Sequence, residues 1–181
     1  MPEINYDTLQ DYLTSLVPPR NAEMQKMEKY AEKNNFPALG AACGYYCYQL
    51  ARMIHAKSIF ELGSGYGYST AWFAKAVTEN GGGVVHHTVW DDKLSAMAQD
   101  HLAKLGYADL VKFHNAEAVE SLRKTSGPFD IIFNDIDKEG YPDSLPVIKE
   151  KLRSGGLLII DNMIWHGQIL DPNDHEETTE A

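Results

Sequence analysis

At 181 residues the chain has room for one domain, and a chain of that size buries roughly 70% of its unfolded surface, so its core needs no covalent staples. Apolar residues make up 44% and charged residues 23%, the balance of a soluble globular protein rather than a disordered one. Acidic residues outnumber basic ones by 26 to 16, a formal charge of −10 that repels a phosphate backbone and excludes nucleic acid as an expected partner.

The first segment, MPEINYDTLQDYL, has neither a basic n-region nor an apolar h-region. No apolar run reaches the roughly 18 residues that a membrane span needs. A cytoplasmic chain with no membrane partner is therefore expected. Apolar positions at Tyr6, Leu9, Tyr12, Leu13 and Leu16 predict a helix that Pro18-Pro19 stops. A second helix is predicted over about Asn21 to Lys33, ending at Asn34-Asn35-Phe36-Pro37, and a third, rich in aromatic residues, over Ala42 to His55. Cys43 and Cys47 share a face of that third helix. Two thiols fall short of the four or so ligands of a structural zinc site, and they read as buried and reduced.

From residue 58 the hydrophobic period changes. Apolar runs at Ser58–Leu62, Val84–Trp90, Val111–His114, Phe129–Asp135 and Gly156–Asp161 alternate with helical patterns at Ser69–Thr78, Lys93–Leu105, Ala116–Lys124 and Ser144–Leu152. Strand and helix in alternation predict an α/β chain with a doubly wound, Rossmann-like, mostly parallel sheet. Its ligands are expected outside the carboxyl ends of the strands.

The first strand runs into Glu61-Leu62-Gly63-Ser64-Gly65-Tyr66-Gly67-Tyr68-Ser69-Thr70. Glycines permit close backbone approach, and a helix N-terminus offers free N–H groups, so a nucleotide-like ligand fits there. The alternative is a turn that only joins strand to helix. With glycines at 63, 65 and 67 and Tyr68 in the third place of the dinucleotide fingerprint, the spacing argues against a nicotinamide cofactor. His86 and His87, on the next strand, read as one inward and one outward side chain.

Two later strands end in acidic clusters, Asn134-Asp135-Ile136-Asp137-Lys138 and Asp161-Asn162. Parallel strands bring these ends side by side. Asp135, Asp161 and Asn162 then form either a hard, all-oxygen set suited to Mg²⁺, or to Mn²⁺ or Ca²⁺, or a pair of solvated strand ends with a turn residue. Lys138, three residues past Asp135, is either a base near that cation or a surface lysine.

Taken in order, ELGSGYGYST, AEA before SLRKTSGPFD, FNDIDKEGYPD, LRSGGLLIIDN and MIWHGQIL resemble the cation-dependent O-methyltransferase family that includes the catechol and caffeoyl-coenzyme A O-methyltransferases. The resemblance spans roughly Ala38 to Leu170. It implies a class I methyltransferase with a seven-stranded sheet: a helical cap over 1–40, a core binding S-adenosylmethionine over 41–170, and a polar tail over 171–181. By resemblance Asp135, Asp161 and Asn162 become the metal ligands and Lys138 the general base. Glu61, Gly63, Tyr68 and Ser69 hold the methionine end of the cofactor, Gly65 and Asp135 are further cofactor-binding residues, and Glu117 and Ala118 flank the adenine. The implied acceptor is a small molecule with vicinal hydroxyls on an aromatic ring, and a homodimer is the implied assembly.

The sequence departs from the family in two places. Where an acid normally bonds the cofactor ribose at the end of the second strand, ungapped alignment puts Val89; Asp91 is the nearest carboxylate and is the expected cofactor residue if the loop shifts by one or two positions. A true loss of that acid weakens binding by about 1.5–3 kcal/mol. Family members also continue past the tryptophan-glycine segment into further strands, whereas this sequence ends at LDPNDHEETTEA. Either the sequence belongs to a longer protein or the sheet keeps an exposed edge open to pairing. A catalytically impaired relative that binds the cofactor or a partner, and a nicotinamide-dependent oxidoreductase, are the competing expectations.

Overall fold

A computed structural model describes residues 5–180. Met1–Ile4 of the expected cap, Ala181 of the expected tail, and the side chains of Tyr6, Asp7, Trp165, His166, Glu177 and Glu180 lie outside the described residues.

Three helices open the chain: α1 (Tyr6–Ser15), α2 (Ala22–Asn34) and α3 (Ala41–Met53). Asn5 and Asn21 cap the first two by accepting backbone N–H bonds from Thr8 and Met24, as short polar side chains do at helix starts. Then β1 (Ser58–Leu62), β2 (Val84–Thr88), β3 (Val111–His114), β4 (Phe129–Asn134) and β5 (Leu152–Ile160) alternate with α4 (Tyr68–Glu79), α5 (Asp92–Lys104), α6 (Ala118–Lys124) and α7 (Tyr141–Lys151). The sheet order is β3-β2-β1-β4-β5, and every pair is parallel. The doubly wound architecture expected from the sequence is therefore the one observed, with five strands among the described residues.

Strand alternation divides the core into two layers. Ile59, Val85, Ile131 and Phe133 point to one face, where they pack with Ala71, Phe73 and Val77 of α4 and with Met27 and Cys47 of the opening helices. Phe60, Leu62, Phe129 and Ile132 point to the other face, against Leu122 of α6 and Val147 and Ile148 of α7. Gly44 sits where a Cβ would come 2.3 Å from the Trp72 ring, so α3 and α4 touch at a residue with no side chain. Cys47 is buried as expected, and burial pushes its thiol up to about 12. Cys43 is exposed, against expectation: the buried positions of α3 are Ala41, Gly44, Cys47 and Ala51, three or four apart, and Cys43 falls outside that stripe.

Several boundaries differ from the sequence reading for identifiable reasons. β5 begins at Leu152 rather than Gly156: Leu152 pairs with Phe129, a bulge over Arg153–Gly156 follows, and pairing resumes at Leu157. α7 begins at Tyr141 rather than Ser144, because Pro142 falls in the first turn, where no N–H is required. A 3₁₀ segment (Trp165–Leu170) closes the expected core, and the tail expected to be polar loop contains a one-turn helix, α8 (Glu177–Glu180), that folds back on the 138–140 loop. Among the described residues, no helix is long and apolar enough to cross a membrane.

Candidate functional site

The site is built where β1, β4 and β5 end. Hydrogen bonds step across these tips: the Asp135 N–H donates to the Leu62 carbonyl (2.9 Å) and the Asp161 N–H to the Asn134 carbonyl (3.1 Å). With Asn134 paired to Ile160 in the ladder, Asp135 and Asp161 leave the sheet as neighbours. Asn162 follows with φ of +57°, a left-handed conformation that asparagine tolerates better than most residues. Asp135 is half-buried, and its carboxyl is pushed up to about 6 by that burial and by the charge of Asp161, with Lys138 opposing both.

Lys138 reaches back to this acid. Its Nζ lies 3.3 Å from Asp135 Oδ1, 3.2 Å from the Ile136 carbonyl and 2.8 Å from the Tyr141 hydroxyl. The Tyr141 hydroxyl in turn donates to the Asp161 carbonyl at 2.9 Å, so one tyrosine ties the lysine to the second acidic tip. Burial lowers the Lys138 amine, but the Tyr141 hydroxyl and the Asp135 charge outweigh it and hold the amine above its usual value. The Lys138 side chain is therefore largely covered, with its amine held at the acidic tip. Tyr141 went unremarked in the sequence, where nothing separates it from an ordinary apolar anchor of α7.

Beside these acids lies the glycine turn. Gly63, Gly65 and Gly67 all have positive φ (+82°, +50° and +91°), and a Cβ on Gly63 would fall 2.3 Å from the Asp135 carbonyl oxygen. Gly63, Ser64, Gly65, Tyr68, Ser69 and Asp135 line a small cleft of about 40 Å³ together with Phe36, Pro37, Ala38 and Leu39. Phe36 covers Gly65 and meets Tyr66 edge-on, with ring centroids 5.0 Å apart. The sequence reading used Phe36-Pro37 only as a helix stop and missed its place over the turn. The Tyr68 hydroxyl donates to Glu28 Oε1 (2.7 Å), which also pairs with Arg20, so this residue offers the cleft its ring rather than its oxygen.

Glu61 lies behind the cleft wall, fully buried. Its Oε2 accepts a hydrogen bond from Thr70, while Oε1 has no partner. Desolvation pushes its carboxyl up to about 7, against the hydroxyls of Ser69, Thr70 and Ser64.

The remaining expected residues stand apart from the cleft. Asp91 Oδ1 accepts from the N–H groups of Lys93 and Leu94 (both 2.8 Å) and caps α5. Glu117 caps α6 through the N–H groups of Val119 and Glu120, with Ala118 half-buried as the first residue of that helix. Val89 is buried at the end of β2 and donates its N–H to the His114 carbonyl. A larger hollow of about 530 Å³ runs along the flank of α6 between His114 and Thr125. It shares only Glu117 with the expected set, whereas the smaller cleft is lined by Gly63, Gly65, Tyr68, Ser69 and Asp135.

The residues present fit both groups that the resemblance implies. Asp135, whose carboxyl is pushed up by burial and by the neighbouring Asp161 charge, stands with Asp161 and the following Asn162 as a hard-oxygen set that a divalent cation would relieve. Positive-φ glycines at a helix N-terminus, backed by an unpartnered buried carboxylate oxygen, suit a ligand bearing both a carboxylate and an ammonium group. Another acidic group, Glu23, Asp100 and His101 between α2 and α5, is already occupied by Lys26 and Lys104.

Residues 18–181 match the family model described as O-methyltransferase. A catechol O-methyltransferase of Niastella koreensis is 29% identical over 97% of this chain and 81% of its own length. One from Mycobacterium tuberculosis is 30% identical over 80% of this chain and 65% of its own length. Among solved structures, the O-methyltransferase TomG of Streptomyces achromogenes, in complex with S-adenosylmethionine, superposes with a TM-score of 0.85 at 27% identity, over 96% of this chain and 79% of that one.

Proposed function

Since the chain belongs to the O-methyltransferase family, we propose that it transfers the methyl group of S-adenosylmethionine to one hydroxyl of a small vicinal-diol acceptor of the catechol or caffeoyl kind. A divalent cation, Mg²⁺ before Mn²⁺ or Ca²⁺, completes the site on Asp135, Asp161 and Asn162. The observation that carries this reading is the pairing of Asp135 with Asp161 on adjacent strand tips, directly beside the glycine cleft.

When bound, S-adenosylmethionine supplies an electrophilic methyl group, and the cation supplies the positive charge that acidifies a neighbouring hydroxyl. The chain's own residues do the rest. Gly63, Gly65 and Ser69 hold the carboxylate end of the cofactor at the start of α4, Glu61 faces its ammonium group, and Tyr68 packs along it. Glu117 and Ala118 flank the adenine from the end of β3. Lys138 takes the proton of the acceptor hydroxyl, and Phe36 and Leu39 keep water from the cleft. Much of the acceleration then comes from holding hydroxyl and methyl in line.

The test compares acceptors. With S-adenosylmethionine and Mg²⁺, a catechol should be methylated and the matching monophenol should not, and a chelator should stop the reaction. Equal rates on both acceptors, or full activity in excess chelator, would refute the reading. Val89, which leaves the end of β2 without a carboxylate, favours a second reading: a relative that binds the cofactor without turnover. Tight binding with no transfer to any vicinal diol would decide for it.

A homodimer is part of the first reading. Leu9, Tyr12 and Leu13 on α1, Leu16 just after it, and Tyr46 and Met53 on α3 are exposed apolar residues, surface of the kind that a second copy would cover. Sedimentation should give twice the chain mass, and Leu13→Glu should reduce it to one; a wild-type monomer at micromolar concentration would contradict this.

A further inference from the structure

His87 stands out among the residues that the catalytic reading leaves unused. It is completely buried at the end of β2, on the face where Glu61 emerges from β1. Its Nδ1 lies 2.9 Å from Thr70 Oγ1, which is 2.5 Å from Glu61 Oε2. The three side chains form one line from β2 through the first turn of α4 to β1. Its far ends, His87 Nε2 and Glu61 Oε1, are both buried without partners.

A threonine hydroxyl has a single proton. With Glu61 ionised, the state that a bound ammonium group favours, Thr70 donates to the carboxylate and accepts from His87, which sets the Nδ1–H tautomer of the imidazole in that state. Burial holds that imidazole neutral, pushing it down to about 3. An orphaned ring nitrogen in a dry core costs stability, so a packing role alone is better served by an apolar ring. The line does accomplish one thing: it commits Glu61 Oε2 to Thr70 and leaves Oε1 as the free oxygen. Ser64 and Ser69, whose hydroxyls act on the same carboxyl, line the cleft.

We propose that His87 is a positioning residue for the cofactor: acting through Thr70, it fixes the Glu61 carboxylate so that Oε1 faces the ammonium group of S-adenosylmethionine. This rests on the reading of Glu61 as a cofactor residue. The same line predicts which ligands sense it. S-adenosylmethionine and S-adenosylhomocysteine carry the ammonium group; methylthioadenosine shares their nucleoside and sulfur but lacks the amino-acid end.

The experiment is calorimetric titration of the full chain with S-adenosylhomocysteine and with methylthioadenosine. His87→Phe and Thr70→Val should each weaken S-adenosylhomocysteine about 10- to 100-fold, the worth of a hydrogen bond to a charged group, and leave methylthioadenosine unchanged. The double variant should bind no worse than Thr70→Val alone, since both cut one line. His87→Asn, which keeps an N–H near the Nδ1 position, should restore binding. Equal weakening of both ligands would reduce His87 to packing and overturn the proposal, as would unchanged binding in Thr70→Val, the variant that serves if His87→Phe does not fold. Glu61→Gln separates the two levels: if it leaves S-adenosylhomocysteine binding intact, the reading of Glu61 itself falls. If it weakens binding while the His87 and Thr70 variants do not, only the positioning role does.

Discussion

Replacement of Lys138 by methionine should lower turnover by about 10²–10⁴-fold, the range for loss of a positioned general base. The affinity for S-adenosylmethionine should stay nearly constant, because the lysine touches Asp135, Ile136 and Tyr141 and does not line the cleft. Without a cation the amine is a charged partner of Asp135, and in that state it cannot accept a proton. Its role therefore depends on Asp135 turning its charge elsewhere. Lys138→Arg tests this directly: it preserves the positive charge but does not deprotonate, so a base predicts the same loss as methionine, whereas a purely electrostatic lysine predicts recovery. Turnover of either variant within a fewfold of the parent would remove Lys138 from the chemistry.

Gly63→Ala should disrupt both the fold and the site. The new Cβ would lie 2.3 Å from the Asp135 carbonyl oxygen and 2.8 Å from its carbonyl carbon, at a φ of +82°. Both obstacles are backbone, so no side chain can swing aside. Left-handed strain of about 1–2 kcal/mol and overpacking of about 1–3 kcal/mol together consume a large part of a marginal stability. For a chain of this length they should lower the melting temperature by roughly 4–20 °C. Relief by movement of Asp135 should cost cation binding even where the protein stays folded. Gly82→Ala is the control: its φ is +94° but nothing lies within 4 Å, so it carries the strain without the collision. Equal melting temperatures for the two variants would show that the close approach to Asp135 is unimportant.

The parts of this site legible in the sequence are those written in the period of a strand or in the chemistry of its end. β1 and β4 are buried on both faces, so Ser58–Leu62 and Phe129–Asn134 read as largely apolar runs; glycine marks the tip of the first and Asp135 the tip of the second. The stepped hydrogen bonds that make Asp135 and Asp161 neighbours depend on register, which no local pattern encodes. Phe36 was hidden because Pro37 gives the same signal whether the chain leaves a helix for solvent or turns over a ligand cleft. Asp91 and Glu117 show a different obstacle. A carboxylate at a helix start is wanted equally by the cap and by a ligand lying over that helix, so the residue type cannot say which of the two it serves. In the structure both carboxylates are engaged by backbone N–H groups.

The pegging of Asp161 to Asn134 makes the metal-side geometry a property of strand alignment rather than of side-chain packing. Substituting Leu158 or Ile160 by another aliphatic residue leaves the two acids a strand spacing apart, roughly 4.8 Å. Inserting a single residue between Leu157 and Ile160 has a different consequence: period-two geometry turns every later side chain to the opposite face. Asp161 would then exchange its place with its neighbour, so this centre withstands point changes in its surroundings and fails at once to a frame slip of one.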